Sequence, residues 1–381
     1  MEHSIPFNKP SITGNELAYI KAAVESGKIS GDGSFTKKCH RFFEETYGFK
    51  KVLLTTSCTD ALEMAAILLD IREGDEVIVP SYTFVSSANA FVLRGAKIVF
   101  VDSRSDGPNL NENLLEGLIT PKTKAIVVVH YAGIACNMDV VMQVAEKHSL
   151  YVVEDAAQSI DSYYKGKPLG GIGHLAAFSF HETKNIIAGE GGMLVVNDKK
   201  LIERAEIIRE KGTNRTQFFR GETDKYNWLD IGSSFLPSEI IAAFLYAQLE
   251  NLKAIQAKRT QLWNSYFEQL APLQQKGLLG LPYLPAYSTN NAHLFYLVTN
   301  TNTERNGLIE KLRENNVLAV FHYLSLHKSP FMLQHQPNSH NEMPNADIYS
   351  NQLLRLPLYF SLTTDELLRV TAVVKSFYGV N

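Results

Sequence analysis

Short runs of branched apolar residues alternate with helix-patterned stretches through the first 200 positions, and this limits the chain to few folds. Residues 52–55, 76–80, 97–102, 125–130 and 150–155 read as strands, while residues 59–69 and 87–93 carry apolar side chains at helical spacing. Continuous apolar runs of this kind suit strands buried on both faces, not the alternating pattern of a half-exposed sheet. The expected fold is α/β, a mostly parallel sheet between helices. After about residue 235 the pattern changes. Residues 238–270 read as one long helix, 292–298 and 317–321 as strands, and 303–315 as a helix between them. A chain of 381 residues exceeds what one core usually holds. Two domains are expected: a large α/β domain, 1–250, and a smaller C-terminal α+β domain, 251–381.

Composition narrows the functional classes. A net charge of −3 and the lack of like-charge blocks argue against nucleic-acid and membrane-surface partners. No apolar stretch nears the roughly 20 residues of a membrane span, and the first residues show no signal-peptide pattern. Cys39, Cys58 and Cys136 share no ligand-like spacing. No metal site is expected, and free thiols in a reducing cytoplasm are the simple reading.

The chemistry lies in an acid that ends one strand and a lysine that follows another. Leu150-Tyr151-Val152-Val153-Glu154-Asp155 ends on Asp155, and the apolar run 176–180 leads to Lys184. A surface position is the commonest fate of a lysine, and Asp155 before Ala156-Ala157 also suits a helix N-cap. Together, however, they are the pair that pyridoxal phosphate requires: an amine for the Schiff base, and a carboxylate that keeps the pyridine nitrogen protonated. At the end of a parallel strand, Asp155 would open onto the ligand crevice of such sheets.

Gln158 is a candidate for the ring hydroxyl. The polar stretch 55–60, set between strand and helix, offers phosphate donors, though capping alone favours the same residues. Ser179, two residues inside its expected strand end, is another phosphate candidate. Tyr82 and Phe84 could give the ring an aromatic face, or be core. Three motifs lead elsewhere. Gly171-Ile172-Gly173 precedes a strand instead of following one, so it is no dinucleotide loop. His181-Glu182 lacks a second histidine at Asn185. Gly189-Glu190-Gly191-Gly192 has no following Gly-Lys-Ser/Thr and reads as a tight turn near Lys184.

Taken in order, Val153-Glu154-Asp155-Ala156-Ala157-Gln158, Phe178-Ser179-Phe180-His181-Glu182-Thr183-Lys184-Asn185 and Gly189-Glu190-Gly191-Gly192 resemble the DegT/DnrJ/EryC1/StrS sugar aminotransferases. The likeness runs from Ile5-Pro6-Phe7 through Pro80-Ser81-Tyr82-Thr83-Phe84 to Leu356-Pro357-Leu358. It implies a fold-type I aminotransferase and a homodimer with shared active sites. By matching motif, Lys184 would be the Schiff-base lysine, Asp155 the pyridinium partner and Gln158 the ring-hydroxyl contact. Ser179 and the Cys58 and Thr59 amides would bind phosphate, and Phe84 would stack on the ring. Ser234 would reach the partner subunit's phosphate; many members carry Asn there, and the span from Lys184 to Glu190 is one residue shorter than usual.

Residues 209–221 and 230–235 resemble the branch that aminates dTDP-4-dehydro-6-deoxy-D-glucose at C4, with L-glutamate as donor. Its products are 4-amino-4,6-dideoxyhexoses of the galacto (enterobacterial common antigen) or gluco (viosamine) type, for O-antigen and other surface polysaccharides. Arg215 and Arg220 are candidates for the diphosphate, if not solvated loop charges. His322 and His327 are candidates for the sugar site, if not structural. A sugar dehydratase of this fold would carry histidine in place of Lys184. A cofactor-binding regulator would show a DNA-binding module or basic patch.

Overall fold

The computed structural model describes residues 3–336 and 342–380. Its first strands are β1 (Val52–Thr55), β2 (Glu76–Pro80), β3 (Lys97–Val101), β4 (Thr123–Val129) and β5 (Tyr151–Asp155). After a small hairpin, β6 (Tyr163–Tyr164) and β7 (Lys167–Pro168), come β8 (Leu175–Ser179) and β9 (Gly192–Val196). Seven of these form one sheet in the order β1-β9-β8-β5-β4-β2-β3. Only β9 runs against the others, pairing antiparallel with both β1 and β8.

The unbroken apolar runs are explained by burial on both faces. Val77, Val79, Val127 and Val153 pack with Leu62, Ala65 and Phe91 from helices Cys58–Leu68 and Ser86–Val92. The alternate residues Ile78, Ile126, Val128 and Val152 pack on the opposite face with Met138 and Val141 from helix Met138–His148. Because β1, β2, β4, β5 and β8 share one direction, their carboxyl ends lie along a single edge. Gly192 enters that edge on β9, in register with Thr55 and Ser179. Residues distant in sequence are thereby brought to one crevice.

A second sheet combines β10 (Leu279–Gly280), β11 (Phe295–Thr299), β12 (Val320–Phe321) and β13 (Leu353–Leu356) in the order β10-β11-β13-β12, all antiparallel. Its core gathers Tyr266, Phe295, Leu312, Leu354 and Val370. Ile5 joins this core from the start of the chain through a parallel bridge to Val317. No helix among the described residues is long and apolar enough to cross a membrane.

Three expected elements differ. The long helix over 238–270 is two, Glu239–Glu250 and Leu252–Gln275. They are separated at Asn251, which leaves helical geometry and whose Nδ2 donates to the Ala247 carbonyl. The strand expected from 292 starts at Phe295, because Ala292 takes a left-handed φ of 51°. The strand over 317–321 shrinks to Val320–Phe321, since Val317 pairs with Ile5 instead.

Candidate active site

The crevice at the carboxyl edge is a cavity of about 620 Å³. Lys184, Asp155, Gln158, Ser179, Cys58, Thr59, Phe84 and His322 all line it. Sequence reading named these eight, and the topology brings them together.

Asp155 follows Val153 in alternation and is buried, under helix Ser86–Val92. Its Oδ2 accepts from Ser87 Oγ at 2.6 Å, and its Oδ1 accepts from the Ala157 N–H at 3.1 Å. No helix follows it, so the alternative of an N-cap gives way to a side-chain-closed turn. Ser87 is itself 2.9 Å from Thr83 Oγ1, which completes a buried hydroxyl pair behind the carboxylate.

Lys184 lies five residues beyond β8, in the loop that returns to β9. Phe180 donates its N–H to the Gly191 carbonyl, Ala188 to Phe180, and Glu182 to Gly189, so the loop is pinned across its neck. Asn185 anchors the lysine from the next position. Its Nδ2 donates to Gln256 Oε1 and to the Asn291 carbonyl, both at 2.8 Å, while its Oδ1 is 2.8 Å from His293 Nδ1. Burial is the main cause that lowers the basicity of the Lys184 amine; Asp155 pulls the other way. Ser179 is the last residue of β8, not inside it.

Helix Cys58–Leu68 begins at the cavity wall. Ser57 caps it by accepting from the Asp60 N–H at 3.0 Å, an interaction worth about 1 kcal/mol. The Cys58 and Thr59 N–H groups, first in the helix, have no acceptor within it. Thr59 Oγ1 is held 2.8 Å from Ser86 Oγ. At the start of β9, Gly192 runs so close that an added Cβ would strike the Ser57 and Cys58 backbone. This helix start could hold a phosphate, with Ser179 Oγ beside it.

Gln158 accepts from the Ala132 N–H at 2.7 Å and donates to the Tyr323 hydroxyl at 3.0 Å. His322 Nδ1 is 2.6 Å from the Tyr131 hydroxyl, and burial drops the basicity of this imidazole far below its ordinary value. Phe84 lies at the rim, about half exposed, 6.1 Å from the Tyr323 ring centre. Its companion Tyr82 is core.

Four candidates do not line the cavity. His327 is buried 2.7 Å from Ser81 Oγ, fixing the end of β2. Arg215 pairs with Glu210 at 3.0 Å, and Arg220 with Glu222 at 2.7 Å and Glu206 at 2.9 Å. Ser234 is exposed and forms a backbone bridge to Glu210. The cavity walls also include Arg355, Tyr323, His293 and Ser86, none of which was singled out from sequence. Arg355 lies in a strand, Tyr323 and His293 in loops and Ser86 at a helix start, and only the approach of the second sheet to the first gives Arg355 and Tyr323 their place.

The model of the DegT/DnrJ/EryC1/StrS aminotransferase family matches residues 10–375. The chain is 32% identical to the uncharacterized protein MJ1066 of Methanocaldococcus jannaschii, covering 100% of this chain and 99% of that one. Among solved structures it is similar to the putative sugar aminotransferase Spr1654 from Streptococcus pneumoniae, whose PMP and PLP forms superpose with TM-scores of 0.90 and 0.89 at 26% identity. The PMP form matches over 98% of this chain and 99% of that one, and the PLP form over 99% of each. DesV of S. venezuelae, solved in complex with a ketimine intermediate, has a TM-score of 0.89 at 30% identity over 99% of each chain.

Proposed function

The chain belongs to the DegT/DnrJ/EryC1/StrS aminotransferase family, whose members depend on pyridoxal phosphate, and from this we propose that it transfers an amino group from L-glutamate to C4 of dTDP-4-dehydro-6-deoxy-D-glucose. The product is a dTDP-4-amino-4,6-dideoxyhexose for surface polysaccharide, made in the cytoplasm.

The observation that carries this reading is the convergence of Lys184, Asp155 and the start of helix Cys58–Leu68 on one cavity. That donor set fits the cofactor: a buried amine, a carboxylate fixed by two hydrogen bonds, and free helix-start N–H groups for a phosphate. When bound, pyridoxal phosphate supplies an aldehyde carbon that carries the amino group and a protonated ring that withdraws electrons. The Cys58 and Thr59 amides and Ser179 Oγ would hold its phosphate. Asp155 would hold the ring nitrogen protonated, Phe84 would offer the ring an aromatic face, and Gln158 would meet the ring hydroxyl with the amide hydrogen that Tyr323 does not take. Lys184, whose buried amine gives up its proton more readily than a free lysine, takes the Cα proton of the amino donor and later delivers one to the sugar C4. His322, kept neutral by burial, borders the sugar.

We assign cofactor binding to 1–250 and closure over the substrate to 251–381. A homodimer completes the site in this reading, with Ser234, Arg215 and Arg220 acting at the partner's cavity. It is supported by the apolar surface of that segment, where Trp228 is 82% and Phe219 69% exposed.

The test is incubation of purified protein with pyridoxal phosphate, L-glutamate and dTDP-ketosugars, with NMR of the product. An axial C4 amine assigns the galacto series and an equatorial one the gluco series. An amine at C3, or loss of a hydroxyl without amination, would refute the reading.

A further inference from the structure

Alternation along β13 gives its residues opposite surroundings. Leu354 and Leu356 enter the core of the small sheet with Phe295 and Leu297. Leu353 and Arg355 take the other face, where Tyr296 stands in register with Arg355 and packs with the large sheet's cluster. A cation is thereby built into the cavity wall.

This guanidinium has no acidic partner among the described residues. Its Nη2 meets the Phe321 carbonyl at 3.4 Å, its face lies 4.6 Å from the Phe7 ring centre, and its buried Nε has no hydrogen-bond partner. The groups around it, Tyr82, Tyr131, Tyr323, His293 and His322, are held neutral by burial, and Lys184 adds positive charge. A half-buried guanidinium whose buried Nε has no partner calls for an anion, and its planar fork matches a carboxylate.

We propose that Arg355 binds the α-carboxylate of the amino donor. The inference rests on the aminotransferase reading and deepens it. Both substrates use the cavity in turn, and they differ in charge at the reacting carbon. An amino acid carries its carboxylate one bond from Cα, so that group must enter the cavity with the carbon. A 4-ketosugar has only neutral substituents around C4, and its diphosphate hangs from C1 across the ring. Arg355 therefore serves one half-reaction and not the other.

The probe is glutarate, a dicarboxylate without an amine, titrated calorimetrically into the holoenzyme, with dTDP titrated in parallel. R355Q should weaken glutarate on the order of 100-fold, as expected when one partner of a buried charge pair is removed. It should raise the L-glutamate concentration that half-bleaches the cofactor by a similar factor and leave dTDP affinity unchanged. R355K, which keeps the charge but loses the fork, should fall between, and it preserves the test if R355Q does not fold. Unchanged glutarate affinity in the variants, absence of glutarate binding in the wild type, or weakening of dTDP instead would overturn the proposal. Sugar amination by the wild type is measured separately, so the broader reading can stand when this one falls.

Discussion

Replacing Glu154 by glutamine tests how the crevice is supported from below. Glu154 is completely buried beside Asp155, on the opposite face of β5. Its Oε1 accepts from the Ile172 and Gly173 N–H groups, at 2.8 and 2.5 Å. Its Oε2 accepts from the Gly170 N–H at 2.8 Å and faces His130 Nε2 at 2.9 Å. His130 Nδ1 accepts from the Cys136 N–H at 3.2 Å, so the imidazole proton sits on Nε2 and points at the carboxylate. All four partners are donors.

A glutamine has one oxygen for four donors, so its NH₂ must meet a pair of N–H groups whichever way it turns. Moving the imidazole proton to Nδ1 relieves one clash and creates another at Cys136. At least two buried donors lose their acceptor, at about 1–3 kcal/mol each, so the loss should be about 2–6 kcal/mol. Burial pushes the Glu154 carboxyl upward, but His130 and the Gly170 and Gly173 amides outweigh it, leaving the group below its ordinary value. A depressed carboxyl contributes stability that is present above its unfolded value and lost as pH falls through its folded value. Urea unfolding at neutral pH should place the variant lower by that amount, and acid titration should show a shallower loss than in the wild type. A variant within 1 kcal/mol of wild type, with an unaltered acid limb, would refute the argument.

Further predictions concern the site directly. Asp155→Asn should retain the cofactor but slow both half-reactions, on the order of 100-fold or more, since a neutral amide no longer stabilises a protonated ring nitrogen; stopped-flow absorbance of each half-reaction measures it, and wild-type rates would remove Asp155 from this role. Gly192→Ala should cost about 1–3 kcal/mol, because its Cβ meets the Ser57 and Cys58 backbone, and should loosen pyridoxal phosphate more than pyridoxal, as equilibrium dialysis would reveal. Mixing Lys184→Ala subunits with subunits altered at Arg215, Arg220 and Ser234 should restore activity through one intact hybrid site. Inactive mixed dimers would mean that these residues do not act across subunits.

The parts of this fold readable from sequence are those fixed by local physics. Unbroken valine and isoleucine runs have one economical home, a sheet covered on both faces, and β2, β4 and β5 follow from it. Asp155 is legible because it ends a strand, and Lys184 because it follows an apolar run that sequence can mark. What could not be read depends on tertiary approach. Ser87 reads as the first turn of a helix until the structure sets its hydroxyl against Asp155. Arg355 lies in a segment that the sequence does not mark as a strand, and only the approach of the small sheet puts it in the cavity wall. Glu154 and His130 lie in separate strand-end segments, and only the β4–β5 register joins them. Conversely, His327 looked like a site residue from its neighbours in sequence, yet its partner is Ser81, 246 positions away.

Lys184 is the amine proposed to hold the cofactor. Borohydride reduction of the yellow holoenzyme, followed by proteolysis and mass spectrometry, fixes the cofactor to the amine that carries it. The peptide containing Lys184 should bear the reduced pyridoxyl group, and Lys184→Arg should fold, remain colourless and take up no label. Labelling of any other lysine, or stoichiometric labelling of the Lys184→Arg protein, would contradict the account.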